Sequence, residues 1–187
     1  MSPTRPAPRL LLFPGAGSSR DHPSLVAIER AVAPMRCVRA DFPYRKQGRR
    51  APDRAPVLLQ AVADEAAAIG PGPLFLGGRS MGGRMCSMAV ADGSVAAAGL
   101  VLISYPLHPP GKPDRLRVEH LPAIDVPCLF VHGTKDPFGS PDELQQWTAT
   151  IAGRVTHVFV DGRGHDLKGA DQFVADTVAE WLRRPGG

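Results

Sequence analysis

The sequence predicts an α/β fold with a mostly parallel sheet covered on both faces, and three observations carry that reading. Short apolar runs alternate with amphipathic stretches along the whole chain. The runs are continuously apolar, as strands buried on both sides are. Most glycines and prolines fall between these segments, where they punctuate turns. A length of 187 residues suits one hydrophobic core, and 43% hydrophobic with 21% charged residues excludes a disordered or fibrous chain.

In chain order, a Pro-rich tail over residues 1–8 precedes a single domain over 9–183, with a short tail over 184–187. Arg9-Leu10-Leu11-Leu12-Phe13 reads as the first strand, stopped by Pro14-Gly15. A helix follows over 23–32, with Asp21 as its candidate cap, then a strand over 37–40. Val57, Leu58, Ala61, Val62 and Glu65 share helical spacing within 56–69. A strand over 73–76, a helix over 81–91 and a strand over 99–103 come next. The last elements are a strand over 127–131, a helix over 141–151, a strand over 155–160 and a helix over 170–182, for about six strands and at least five helices. Two polar stretches, 42–55 and 104–125, read as irregular. The first carries Arg45, Lys46, Arg49, Arg50 and Arg54, a solvated, ion-paired loop whose functional reading is a rim for anionic substrate.

Several function classes are disfavoured. An excess of 22 Lys+Arg over 18 Asp+Glu leaves +4, too little to point to nucleic acid. Cys37, Cys86 and Cys128 form no Cys-x-x-Cys pair, which predicts reduced thiols in a cytoplasmic protein and no zinc cage. The apolar run Leu10 to Phe13 is shorter than a secretory h-region, and the stretch 85–103 is broken by Asp92, Gly93 and Gly99, so neither export nor a membrane span is expected. Phosphate motifs fail on inspection. Gly78-x-x-x-x-Gly83-Arg84-Met85 lacks the Lys and Ser/Thr of a P-loop, and Gly15-x-Gly17 is followed by Arg20 where a dinucleotide fingerprint needs Gly or Ala.

In a parallel sheet, ligands bind beyond the carboxyl ends of the strands, so the residues just past each strand carry the argument. After the third strand stands Gly77-Gly78-Arg79-Ser80-Met81-Gly82-Gly83, a Gly-x-Ser-x-Gly sequence at a strand-to-helix junction. Small residues two positions either side let a serine occupy a sharp, strained turn that presents its hydroxyl. A serine needs a base, and the base needs a partner to orient it. Asp136 follows the fifth strand and His165 the sixth, giving the order Ser80, Asp136, His165. Asp161 and Asp166 are too close in sequence to His165 to support it. His157 falls inside a strand, His132 precedes a turn glycine and serves backbone hydrogen bonding, and His120 is expected to be solvated. His22 and His108 are loop residues able to line a pocket.

Acyl transfer also needs N–H donors aimed at the developing oxyanion. Met81, directly after the serine at a helix N-terminus, is one candidate, and Ala16, flanked by Gly15 and Gly17 after the first strand, is the other. Tyr105, His108 and Phe138, in the loops after the fourth and fifth strands, are the expected substrate contacts.

These residues, together with His132-Gly133-Thr134-Lys135-Asp136-Pro137-Phe138-Gly139 and Gly164-His165, resemble the small, lidless α/β-hydrolases. The likeness is greatest to dienelactone-hydrolase-like proteins and the testis-expressed hydrolase-like group. Asp41-Phe42-Pro43-Tyr44, Gly48-Arg49-Arg50 and Pro52-Asp53 also look typical of the latter. The resemblance implies a minimal α/β-hydrolase fold with Ser80 as nucleophile, Asp136 as acid and His165 as base, working on a small-molecule acyl substrate without metal or cofactor. Dienelactone hydrolases proper use a cysteine where this chain has Ser80, so their substrate does not transfer. The short segment 104–125 implies an open site. The testis-expressed-like group also resembles a scaffold subunit of a chromatin-modifying complex, so the alternative is a noncatalytic binding module. Oligomeric state is not legible in the sequence.

Overall fold

A computed structural model describes residues 6–184; the remaining parts of the expected tails, 1–5 and 185–187, lie outside the described residues. Six parallel strands form one sheet in the order β2-β1-β3-β4-β5-β6. They are β1 (Arg9–Phe13), β2 (Arg36–Arg39), β3 (Leu74–Arg79), β4 (Gly99–Ile103), β5 (Cys128–Gly133) and β6 (Val155–Val160). The helices are α1 (Pro23–Ala31), α2 (Pro43–Lys46), α3 (Ala55–Ala68), α4 (Met81–Ala91), α5 (Pro141–Thr148) and α6 (Asp171–Arg183), with a 3₁₀ turn at Leu121–Ala123. No described helix is long and apolar enough to cross a membrane.

The apolar strand runs have the reason expected of them. Along β1, Leu10 and Leu12 face α1 and α6, whereas Leu11 and Phe13 face α3 and α4, and all four are fully buried. Val101, Ile103, Leu129 and Val131 join the first layer, and Leu76, Leu102 and Phe130 the second.

Element boundaries differ from expectation where glycine was read as a turn. β3 continues through Gly77 and Gly78 to Arg79, because these glycines permit close strand approach. A Cβ on Gly77 would lie 2.0 Å from the Val101 carbonyl oxygen. β5 likewise runs on to Gly133, pairing His132 with Phe159 and Gly133 with Val160. The cap of α1 is His22 rather than Asp21, with Pro23 in the first turn. Asp21 instead pairs with Arg39 at 2.9 Å. α5 starts in a reciprocal capping box between Ser140 and Glu143 and ends at Thr148, earlier than its pattern suggests. α2 and the 3₁₀ turn fall within the two stretches read as irregular.

The basic loop is ion-paired: Arg49 meets Asp53 at 2.7 Å and Lys46 meets Glu65 at 2.6 Å. Cys37, Cys86 and Cys128 are free thiols. His157 sits between Phe130 and Phe159, its Nε2 2.8 Å from Thr148 Oγ1, in the core-edge role expected of it.

Candidate active site

Ser80 joins β3 to α4 with φ 48° and ψ −119°, a conformation that disfavours any residue with a Cβ. Packing enforces it. A Cβ on Gly78 would lie 2.1 Å from the Phe13 carbonyl oxygen, and one on Gly82 would lie 2.5 Å from the carbonyl oxygens of both Phe13 and Pro14. The glycines flanking Ser80 therefore let strand, turn and helix press against the end of β1. The Ser80 N–H donates to Ile103 O at 2.8 Å, tying the turn to β4 as well.

Asp136 lies in the loop after β5 with its side chain fully buried. Its Oδ1 accepts from the Phe138 N–H at 2.9 Å, and Oδ2 lies 2.8 Å from His165 Nδ1. His165 lies in the loop after β6, with Nε2 2.8 Å from Ser80 Oγ. A carboxylate can only accept, so it places the imidazole proton on Nδ1 and leaves the Nε2 lone pair facing the serine hydroxyl. Phe138 stacks on the imidazole with ring centroids 4.0 Å apart. The two loops approach closely because Gly133 has no side chain: a Cβ there would lie 2.3 Å from Arg163 O. Three residues remote in sequence thus meet at one edge of the sheet.

Arg79, buried beside Ser80, was not singled out from the sequence. Its Nη2 donates to the backbone oxygen of His165 at 2.8 Å, and Nη1 lies 2.6 Å from His22 Nε2. Arginine has no acceptor, so Nη1 donates to the imidazole, while His22 Nδ1 caps α1 by accepting from the Ser24 N–H at 3.2 Å and lies 2.9 Å from Ser24 Oγ. Burial and the Arg79 charge both push the His22 pKa down, with Asp171 opposing.

Two clefts meet at Ser80 and share Ala16 and Phe138. One, about 300 Å³, includes His22, Arg79, His165 and Asp166 in its wall. The other, about 370 Å³, extends over Met81, Met85, Leu58 and Pro106 to Arg84 and Arg117. Ala16 and Met81 face the larger cleft, and neither backbone N–H has a hydrogen-bond partner among the described residues. Gly15 lets this loop close on the serine, since a Cβ there would already touch Ser80 Cβ at 3.4 Å.

Of the three expected substrate contacts, Phe138 lines both clefts, whereas Tyr105 and His108 line neither. Ser104, at φ 50°, turns the chain at the end of β4, and Tyr105 is buried edge-on against Phe130. The Tyr105 hydroxyl lies 2.9 Å from both Ser87 Oγ and His120 Nε2. His108 turns toward α5, with Nδ1 donating to Pro109 O at 2.9 Å and Nε2 3.4 Å from Glu143 Oε1. The expectation that His120 is solvated is also corrected. It is part-buried, 2.8 Å from Ser87 Oγ, and burial lowers its pKa to about 4. His132 serves the backbone as expected, its Nε2 2.8 Å from Gly139 O, and lies 3.6 Å from Asp136 Oδ2.

A parallel sheet with helices on both faces and this cluster at its carboxyl edge defines an α/β protein of hydrolase type. Residues 6–181 match the sequence profile of the alpha/beta hydrolase domain, and the chain belongs to that family. Among solved structures, it resembles an α/β-superfamily hydrolase from Xanthomonas campestris pv. campestris, with TM-score 0.72, 24% identity and coverage of 94% of this chain and 98% of the other. A dienelactone hydrolase from Anabaena variabilis gives TM-score 0.74 at 19% identity, covering 94% and 86%. The type II thioesterase BorB of the borrelidin biosynthetic cluster gives 0.69 at 20%, covering 95% and 93%.

Proposed function

We propose that this protein is a serine hydrolase that cleaves small acyl esters or thioesters through an acyl-enzyme. The reading rests above all on one observation, Ser80 Oγ lying 2.8 Å from the Nε2 of an imidazole whose Nδ1 is held by buried Asp136. Similarity to a dienelactone hydrolase and a thioesterase accords with acyl transfer.

His165 accepts the hydroxyl proton as Ser80 Oγ attacks the acyl carbon, and Asp136 stabilises the resulting imidazolium. The tetrahedral oxyanion receives the N–H groups of Ala16 and Met81, each worth about 3 kcal/mol in comparable sites. The protonated His165 then donates to the leaving oxygen or sulfur. Water, deprotonated by the same imidazole, attacks the acyl-serine and releases the acid. Because the leaving atom must reach His165, the leaving group occupies the cleft that contains His165 and the acyl group occupies the larger one. The three unpaired thiols accord with a cytoplasmic setting.

A fluorophosphonate probe tests the assignment. Wild-type protein should be labelled and Ser80→Ala should not, with esterase activity falling at least about 10³-fold. Labelling that persists in Ser80→Ala removes Ser80 from the mechanism. Failure of the wild type to react, with a stable macromolecular complex in its place, favours a binding module.

A further inference from the structure

The larger cleft beside Ser80 contains two guanidinium groups with no counter-ion of their own. Arg84 and Arg117 line it together with Ser80, and neither side chain makes a salt bridge or hydrogen bond among the described residues. Arg84 is part-buried, and its Nε is fully enclosed without a partner. A buried donor left unpaired is costly, and a guanidinium more so, unless a ligand supplies the acceptor. The acid on the cleft wall, Asp53, accepts from Arg49 through Oδ1 at 2.7 Å, and its buried Oδ2 makes no hydrogen bond to either arginine. Burial lowers the Arg84 pKa and the Arg117 charge lowers it further, while Tyr105 and Glu119 oppose.

The position of these groups is built into the fold. Arg84 is four residues beyond Ser80, and helical side chains lean toward the N-terminus, so its head group points back toward the serine end of α4. Arg117 belongs to the loop between β4 and β5, which His120 ties to α4 through Ser87 at 2.8 Å. Ser87 Oγ in turn donates to the Arg84 carbonyl oxygen at 2.8 Å. One buried cluster therefore anchors the segments carrying both arginines.

We propose that this pair is a carboxylate subsite and that the preferred substrates are half-esters or half-thioesters of short dicarboxylic acids, with the free carboxylate on the acyl part. The assignment of the charge to the acyl side rests on the hydrolase reading above, because His165 claims the other cleft for the leaving group. Two guanidinium forks can receive one carboxylate with charge-assisted bonds. One cleft of about 370 Å³ runs from Ser80 past Met81 and Met85 to both arginines, room for a short acyl chain such as adipoyl.

The test compares mono-4-nitrophenyl adipate with its methyl-capped diester, which differ only in the distal charge, with uncatalysed rates subtracted. Wild-type kcat/KM should favour the half-ester by at least about tenfold, the scale of one charge-assisted contact. In Arg117→Gln and Arg84→Gln the ratio should fall toward one, and Arg117→Glu should favour the capped ester. A wild-type ratio near one, or a ratio unchanged in folded arginine variants, overturns the proposal. A second arm does not require turnover: calorimetric titration of Ser80→Ala with monomethyl adipate and with dimethyl adipate. Selective binding of the half-ester that disappears with Arg117→Gln supports the subsite even if neither ester is hydrolysed, an outcome that would count against the hydrolase reading alone. Equal or absent binding of the two overturns the subsite.

Discussion

Acidification is expected to destabilise the fold through the cluster of Ser87, Tyr105 and His120. Ser87 spends its one proton on the Arg84 carbonyl, so its oxygen can accept from His120 Nε2–H, and it is burial and the nearby Arg84 charge that keep the imidazole neutral. Burial brings the His120 pKa from 6.5 to about 4, with Arg84 adding to the effect and Glu119 opposing it. Above pH 6.5 the stability tied to this group is fully present. As pH falls, the unfolded chain takes up a proton that the folded protein refuses until about pH 4, so the contribution drains away across that window. At about 1.36 kcal/mol for each factor of ten, the loss is bounded at roughly 3 kcal/mol. For a chain of this size that corresponds to about 6–12 °C in Tm. Urea unfolding at pH 7.5 and 4.5 on wild type and His120→Gln measures it. His22, His132 and His157 are also depressed by burial and give both proteins a shared slope, so the difference between them isolates His120. Wild type should lose about 2–3 kcal/mol more than the variant on acidification. Parallel pH dependence in the two proteins would refute the reasoning.

Gly82→Ala would push a methyl group to 2.5 Å from the carbonyl oxygens of Phe13 and Pro14, so α4 must retreat from the loop that presents Ala16. The variant is expected to fold with about 1–3 kcal/mol less stability in thermal or urea unfolding, and to lose at least about tenfold in kcat on a 4-nitrophenyl ester. Arg79→Lys replaces a fork that reaches both His165 O and His22 Nε2 with a single ammonium. Steady-state kinetics should show kcat reduced about 10- to 100-fold with KM little changed, since the residue positions the imidazole and does not line the acyl cleft.

Where periodicity and punctuation agree, the fold is legible in the chain. The expected limits of β1, α4, β4 and β6 coincide with those observed, because apolar runs there begin and end at polar or turn residues. Strand ends rich in glycine are not, since local sequence cannot distinguish a glycine that turns from one that admits a neighbouring backbone, as at Gly77 and Gly133. Ser80, Asp136 and His165 could be named together because each follows a strand, and topology places all such residues at one edge. Of the cleft walls only part could be named, Phe138, Ala16 and Met81 among them. Tyr105 lies next to Pro106, which lines the cleft, yet the turn at Ser104 sends it into the core, and Arg117 joins the cleft wall from a loop with no periodic signal. Arg84 did carry a hint, its position one helical turn beyond Ser80.

The backbone at Ser80 has a bearing on the protein's history. Holding a non-glycine residue at φ 48° costs on the order of 1–3 kcal/mol, and glycine would relieve most of it. A lineage that had stopped using the hydroxyl would find a cheap stabilising exchange at this single codon, whereas one that depends on it must keep the handicap and the glycine-paved surroundings that sustain it.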